Sequence, residues 1–525
     1  MSAARRAVAL LAALVVVTAL LAGCGGSPDP EKTITVLAGS ELKDLEPLLP
    51  DLEKATGIRL VPSYIGTLEG AEKIAGGEAT DAAWFSHGKY LSLLPGAGNR
   101  IVASEKIMLS PVVIGVRKSV ADRFGWTDNE DVTWKDIEAK AADGSFRFAM
   151  TNPAASNSGL TALIGVASAL SGSSDALDAG QVDKAALRSF FKGQAMTAGS
   201  SGWLAEAYVK SQDTVDGIIN YESVLLSLNA GRELTEPLVL VYPKEGIVTA
   251  DYPLMLLNKD KRAAWDAVVA WLRTPEAQAR IMKDTARRPA IPGVAPDARF
   301  PTRTLIELPY PAKLETIDAL ITAYLDEERK PASAVFVLDV SGSMDGERLD
   351  GLKAAMRALT GTDTSLTGRF ARFRAREDVT IILFSEDVVE ERQFTIDDTA
   401  PDGPDMTAIR AFVDGLATHT GTAIYTGLER AYEVVAEHQA SDPDRLYSIV
   451  LMTDGENNHG DDLDGFRRVH GGLPDAVRGV AVFPVLFGEA NTEDMQAIAD
   501  MTGGRLFDAT SQSLADIFKQ IRGYQ

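Results

Sequence analysis

The sequence predicts an α/β protein in two parts: a two-lobed clamp built on largely parallel sheet, followed by a separate doubly wound domain. Three observations carry this reading. From residue 33 onward, short apolar runs alternate with helical patterns, the β-loop-α-β order of sheets covered by helices. The alternation breaks off between Pro301 and Pro331 and restarts cleanly afterwards. After the restart the apolar runs are near-continuous, as central parallel strands buried on both faces must be. A chain of 525 residues, 45% hydrophobic and 24% charged, makes about three compact units at roughly 150 residues each. It is too apolar for a mainly disordered chain.

The elements follow in order. Residues 33–37 form a short apolar strand, followed by Gly39-Ser40 and a helical stretch with Leu42, Leu45, Leu48 and Leu49 on one face. Residues 58–64 read as a second strand, 68–75 as an amphipathic helix and 81–85 as a third strand, with Trp84 and Phe85 in the core. Strands at 112–116 and 238–242 bracket a middle segment, 118–230, letting the chain leave one lobe and return to it. A later helix carries Trp265, Val268, Val269 and Leu272 on one stripe and stops near Thr274-Pro275. Residues 314–324 read as a helix, and the charged run 326–330 as solvated surface. Beyond Pro331, strands are expected at 334–338, 379–384, 447–452 and 480–486, with helices at 349–359, 409–416 and 428–438. The chain thus divides into a leader (1–23), a tether (24–32), the clamp (33–301), a connecting segment (302–330) and the C-terminal domain (331–525).

The first residues carry an address. Arg5 and Arg6 precede an apolar stretch from Ala7 to Ala22, closed by Leu21-Ala22-Gly23-Cys24. A positive region, an apolar core and a small-residue end make a secretory signal, and about 16 apolar residues are fewer than the roughly 20 of a spanning helix. Leu-Ala-Gly-Cys resembles a bacterial lipobox, and Cys24 is the single cysteine of the chain. The resemblance implies cleavage before Cys24 and acylation of its sulfur and amine, with enough acyl chains for stable anchoring facing the extracytoplasmic side of the cell membrane. With Cys24 acylated no disulfide can form, so stability rests on packing and bound ligands. Gly25-Gly26-Ser27-Pro28-Asp29-Pro30 reads as a tether, flexible and then stiffened by proline.

Charge and motif content exclude several functions. A net charge of −22, from 52 basic and 74 acidic residues, repels a nucleic-acid backbone. His87, His419, His438, His459 and His470 have no zinc-like spacing, and His419 and His459 are expected at the rim of the C-terminal loops. There is no phosphate loop ending in Gly-Lys-Ser/Thr and no strand-terminal Gly-x-Ser-x-Gly nucleophile elbow. No catalytic residues are assigned, and the protein is expected not to be an enzyme.

The strongest pattern is a set of oxygen donors at strand ends. The strand 334–338 runs into Asp339-Val340-Ser341-Gly342-Ser343, Thr422 precedes a helix, and Asp454 follows the strand 447–452. In a doubly wound sheet, ligands bind outside the carboxyl ends of the strands. Two carboxylates and three hydroxyls are hard donors suited to Mg²⁺, or to Mn²⁺ or Ca²⁺, and poor for zinc. Neutral hydroxyls leave such an ion with residual positive charge, so it should seek one more anionic ligand from outside. Asp-x-Ser-x-Ser, a separate Thr and a strand-ending Asp-Gly resemble the metal ion-dependent adhesion site of a von Willebrand factor A domain, over residues 331–525. The resemblance implies that Asp339, Ser341, Ser343, Thr422 and Asp454 hold the metal, directly or through a neighbour, and that a Glu or Asp of a protein partner completes the site.

The front half carries a second resemblance. The segments Val36 to Leu42, Gly66-Thr67-Leu68, Gly76 to Asp81, Ser110 to Gly115, Asn152 to Gly159, Asp251 to Leu254 and Trp271 to Gln278, in that order, are similar to type 2 periplasmic solute-binding proteins, most of all molybdate and sulfate binders. Ser40, Thr67 and the 156–158 segment each precede a helical pattern, where free backbone N–H groups attract negative charge. The resemblance implies ligand contacts from Ser40, Thr67, Asn157, Ser158 and Tyr221, with Thr67 where a serine is usual and Asn157 where a small residue is common. Glu222 would oppose an anion if it faced the cleft.

Together these readings describe a lipid-anchored extracytoplasmic protein that binds an unidentified protein partner through a metal. Its clamp would take a small polar or anionic solute. The alternative is the substrate-binding component of an ABC-type uptake system, with the C-terminal domain as an accessory.

Overall fold

The computed structural model describes residues 30–172, 175–488, 490–510 and 512–525. The leader, Cys24 and the tether up to Asp29 lie outside the described residues. The first lobe is a sheet of β1 (Thr33–Gly39), β2 (Arg59–Ile65), β3 (Ala82–Trp84), β4 (Ala103–Lys106) and a late strand, β11 (Pro253–Leu256), in the order β2-β1-β3-β11-β4. β1 pairs in parallel with β2 and β3, while β11 runs antiparallel to β3 and β4. Trp84 and Phe85 are buried in this lobe, as expected. After β1 the chain enters a 3₁₀ helix, Ser40–Leu48, before the α-helix Leu49–Thr56. Leu42, Leu45 and Leu48 are its buried residues. Their spacing of three is the 3₁₀ period, so the apolar face is the expected one and only the winding is tighter.

The second lobe is built on β5 (Met108–Arg117), β6 (Phe148–Met150), β7 (Gln194–Met196), β8 (Gly217–Tyr221), β9 (Leu238–Val241), β10 (Thr249–Ala250) and β12 (Arg288–Pro289). They follow the order β10-β5-β8-β6-β7, with β9 and β12 also on β5. The two strands expected to bracket the middle segment both belong to this sheet, β5 and β9 pairing antiparallel with Ile114 opposite Val241. The chain actually changes lobes at Ile107, between β4 and β5, and at Asp251-Tyr252, between β10 and β11. Neither crossing has a periodic signal, because each is only one or two residues long between strands of different sheets.

The C-terminal sheet comprises β13 (Ala332–Asp339), β14 (Asp378–Phe384), β15 (Val388–Thr395), β16 (Leu446–Thr453), β17 (Val482–Leu486) and β18 (Phe507–Asp508). Its order is β15-β14-β13-β16-β17-β18, parallel except for β15. This is the doubly wound order, with the switch point between β13 and β16. All eight residues of β13 are buried, and helix layers pack on both faces of the sheet. β15 (Val-Val-Glu-Glu-Arg-Gln-Phe-Thr) escapes the sequence reading because it is an exposed edge whose charges discourage pairing with another chain.

The charged run 326–330 is a correction. Residues 324–328 form a π turn after the helix Leu314–Ala323. Asp326 takes both guanidinium arms of Arg374 at 2.7 Å, and Arg329, 2% exposed, pairs with the buried Glu377. The run forms a buried joint to the C-terminal domain, and its partners, some 48 residues away, cannot be seen in a local window. Glu328 is buried with neither carboxylate oxygen hydrogen-bonded. Burial, and secondarily Glu327, push its carboxyl up to about 7. A carboxyl raised in the fold favours the neutral form, so its contribution is complete below the unfolded value of 4.5 and is lost as pH rises through about 7. Glu328→Gln should therefore stabilise the protein at pH 8 by about 2–3 kcal/mol and change little at pH 4. Urea titrations at the two pH values check this; equal effects at both would refute it.

Candidate functional sites

The carboxyl ends of β13 and β16, at the switch point, bring the oxygen donors together. Asp339 is fully buried; its Oδ1 accepts the Ser341 amide at 2.7 Å and its Oδ2 the Thr453 hydroxyl at 2.6 Å. The Ser341 and Ser343 hydroxyls lie 3.0 Å apart, and Ser343 Oγ donates to Asp454 Oδ1 at 2.7 Å. Thr422 arrives on a separate loop held by Asn458, whose Oδ1 accepts the Thr422 amide at 2.9 Å. The loop touches the others: a Cβ built on Gly455 would lie 3.6 Å from Ser343 Oγ and 3.8 Å from Thr422 Oγ1. Gly421 has φ +78°, and a side chain there would strike Glu386 and His459, so glycine is required for the loop to close over the site. All five predicted positions therefore converge on one strand-end crevice, with His419 and His459 beside it: the His419 amide donates to Val340, and His459 packs at Gly421.

Burial dominates the electrostatics of the crevice. Burial raises the Asp339 carboxyl above its usual range; the bonds from Thr453 and Ser341 oppose this, and the neighbouring Asp454 adds to it. Among the described residues no group of three or more His, Cys, Asp or Glu could hold a metal. The donor set is instead two carboxylates supplemented by hydroxyls, which suits a hard divalent ion. Sequence reading missed Arg348, Thr453 and Asn458. Arg348, on the helix Glu347–Arg357, pairs with Asp454 Oδ2 while its own side chain is 35% exposed. Gly488, at φ +63°, leaves the room: a Cβ there would lie 3.0 Å from both Arg348 Cζ and Asp454 Cβ.

In the clamp, the predicted ligand residues separate into four places. Asn157 and Tyr221 meet at Ser86, with Asn157 Nδ2 3.0 Å and Tyr221 OH 2.7 Å from Ser86 Oγ and 3.2 Å between themselves. Ser158 belongs to a separate knot of hydroxyls with Thr151 at 2.8 Å, Ser156 at 3.1 Å and Ser201 at 2.8 Å. Thr67 is buried at the start of the helix Thr67–Gly76. Ser40 alone of the five lines the large cavity of the molecule, about 730 Å³. The donors of Asn157, Ser158 and Tyr221 are thus spent on neighbouring side chains, while Asn157 Oδ1 is buried without a partner among the described residues. Glu222 does not oppose a cleft ligand: it is buried against Arg288, at 2.7 Å to both arms, and against Tyr242. Glu41, unnoticed in the sequence, is pushed up by burial at the Ser86 cluster.

Comparison with known proteins agrees with this division. The profile of the family described as bacterial extracellular solute-binding protein matches residues 34–284, and that of the von Willebrand factor type A domain matches residues 334–520. An uncharacterized protein of Synechocystis sp. is 31% identical over 138 residues, covering 26% of this chain and 28% of the relative. The chain therefore spans little more than a quarter of that relative's length. Among solved structures, the periplasmic binding protein AfuA from Actinobacillus pleuropneumoniae, with fructose-6-phosphate bound, matches 57% of this chain and 99% of its own at 14% identity and a TM-score of 0.43. A von Willebrand factor type A protein from Catenulispora acidiphila matches 37% of this chain and 42% of its own at 18% identity and a TM-score of 0.29. A solute-binding domain of this extracellular class places that part of the chain outside the cytoplasm. The chain joins a bacterial extracellular solute-binding domain to a von Willebrand factor type A domain.

Proposed function

We propose that the protein is a membrane-anchored extracytoplasmic binding protein whose type A domain engages a protein partner through a divalent cation. Asp339, Ser341, Ser343, Thr422 and Asp454 would hold Mg²⁺, with Mn²⁺ or Ca²⁺ as substitutes, and Cys24 would carry the lipid. The observation that carries the reading is the continuous hydrogen-bonded chain Thr453–Asp339–Ser341–Ser343–Asp454 at the switch point. Such a cation supplies an electrophilic contact for a partner carboxylate, because hydroxyl donors leave its charge incompletely neutralised. The clamp, in this reading, takes a small polar or anionic solute.

Arg348 sets the affinity of the site. Its guanidinium neutralises one of the two carboxylates that a cation needs, so it competes with the ion for Asp454. Mn²⁺, a paramagnetic stand-in for Mg²⁺, should bind the full chain at one site and be displaced by Mg²⁺ and by EDTA. Arg348→Gln should tighten Mn²⁺ about tenfold, or roughly 1.4 kcal/mol. Electron paramagnetic resonance of free Mn²⁺ reads both numbers. No bound Mn²⁺ at millimolar concentration rejects the metal site, whereas unchanged affinity in Arg348→Gln rejects only the role of the arginine.

A further inference from the structure

The cavity of about 730 Å³ lies at the mouth of the clamp, but the clamp does not enclose it alone. Its first-lobe wall carries Ser40 and Lys43, its second-lobe wall Asn152 and Trp203, and its outer wall Arg505 and Lys519 of the type A domain. The outer wall is docked, not merely adjacent. Glu72 accepts the Leu366 amide, the Thr367 amide at 3.0 Å and the Thr367 hydroxyl at 2.6 Å. The end of the helix Leu514–Arg522 touches the clamp backbone: a Cβ on Gly523 would lie 2.7 Å from Gly199 Cα. Tyr524 stacks on Trp203 with ring centroids 6.2 Å apart. The strand-end crevice is at the other end of this domain, because β13 begins at the buried joint and ends at Asp339, the last of its eight residues, roughly 23 Å along the strand.

The lining is cationic in a strongly acidic protein. Lys43, Lys73, Arg505, Lys519 and Arg522 face Glu69, Glu78 and Asp516, although the chain as a whole carries −22. Lys73 is paired with Glu69 at 3.3 Å, Lys519 with Asp363 at 2.6 Å and Arg522 with Glu377 at 2.7 Å. Lys43 and Arg505 have no carboxylate within ion-pairing distance among the described residues. Lys43 sits 5.5 Å over the Tyr64 ring, and Arg505 lies 3.5 Å over Trp203 and donates, among the described residues, to the Tyr524 hydroxyl at 3.5 Å. Two free cations on opposite walls, from different domains, are placed for one ligand with separated negative groups. The volume suits a small organic molecule and far exceeds a lone oxyanion. Trp203 and Tyr64 also line the cavity and add apolar surface for its uncharged part.

We propose that this cavity binds a small organic anion, such as a sugar phosphate or a polycarboxylate, held jointly by Lys43 of the clamp and Arg505 of the type A domain. The ligand then bridges the two domains, and its binding strengthens their docking. The test is isothermal titration and thermal melting of the full chain with glucose 6-phosphate and citrate, using glucose as the neutral control and sulfate as the lone-oxyanion control. The expected result is binding of at least one organic anion with Kd below about 1 mM, a raised Tm, and no response to glucose. Lys43→Ala and Arg505→Gln should each weaken it at least about tenfold, whereas Arg505→Lys should restore most of the affinity. Lys43 is exposed, so its variant tests the idea without disturbing packing. The proposal is overturned if neither anion binds at 10 mM, if glucose or sulfate binds as tightly, or if Arg505→Gln leaves affinity unchanged, which would confine the site to the clamp. None of these outcomes depends on the metal crevice.

Discussion

Replacing Asp339 with alanine is expected to abolish divalent-cation binding, weakening Mn²⁺ by at least about a hundredfold, or roughly 2.7 kcal/mol, and partner binding in parallel. The effect should be large because two carboxylates are brought together in the crevice among the described residues, and one of them, Asp454, is already paired with Arg348. Asp339 is the other carboxyl, with no ion-pair partner among the described residues, buried and oriented by Ser341 and Thr453. The same burial makes alanine a damaging probe. Removing the carboxylate leaves the Ser341 amide and the Thr453 hydroxyl without their acceptor, at a cost of about 1–3 kcal/mol per orphaned donor. Asp339→Asn separates the two effects, since it keeps an acceptor oxygen and the shape but discards the charge. Both variants should lose Mn²⁺, and the asparagine variant should keep most of its thermal stability. Thr422→Ala and Ser341→Ala, which each remove a neutral donor, should weaken Mn²⁺ only about tenfold. Mn²⁺ affinity within threefold of the unaltered protein in Asp339→Asn would show that no cation is held there.

The convergence of the five oxygen donors was legible in the sequence because most of them stand where an apolar run stops. A strand end is a local signal, and in a doubly wound sheet the ends of neighbouring strands are necessarily neighbours in space. Arg348 left no such signal: it lies within an ordinary charged helix, and only its position as the second residue of that helix brings it to Asp454. The clamp was less legible for the opposite reason. Ser40, Thr67, Asn157 and Ser158 all read alike, as polar residues at helix starts. Three-dimensional packing then sends Ser158 to a knot of hydroxyls, Asn157 to Ser86 and Tyr221, and Ser40 to the open cavity. Which of several similar caps meet a common space depends on how the lobes close, which is a long-range property. The joint between the domains was least legible. Its groups come from residues 326–329, 374–377 and 522–525, and a charge whose partner is far along the chain looks solvated in any short window.

That joint supports the strongest stability prediction. Glu377 is buried between Arg329, its neighbour across the domain boundary, and Arg522 near the C-terminus. Its carboxylate accepts Arg522 Nη2 at 2.9 and 2.7 Å and the Arg374 amide at 3.0 Å. Burial alone would raise this carboxyl, but Arg522, then Arg329, and the backbone bond together hold it below the usual range. A depressed carboxyl contributes fully above the unfolded value of 4.5 and loses that contribution as pH falls through the lower folded value. Glu377→Gln leaves two buried guanidinium groups without a counter-charge, a mechanism that costs about 3–5 kcal/mol. For a domain of this size the expected fall in Tm is roughly 10 °C at pH 7, shrinking as the pH falls below 4.5 toward the lower folded value, through which the unaltered protein loses the same charge. Arg522 also donates to the Ala371 and Arg372 carbonyls, and through them to the segment beside the helix Leu366–Ala371 that walls the clamp cavity. The substitution should therefore loosen the docking as well as the type A domain, so that hydrogen exchange at Leu366 and Thr367, held by Glu72, accelerates together with the drop in Tm. A Tm change below about 2 °C, or unchanged exchange at those amides, would mean that the charges at the joint are solvated after all and that the two domains are held by their apolar contacts alone.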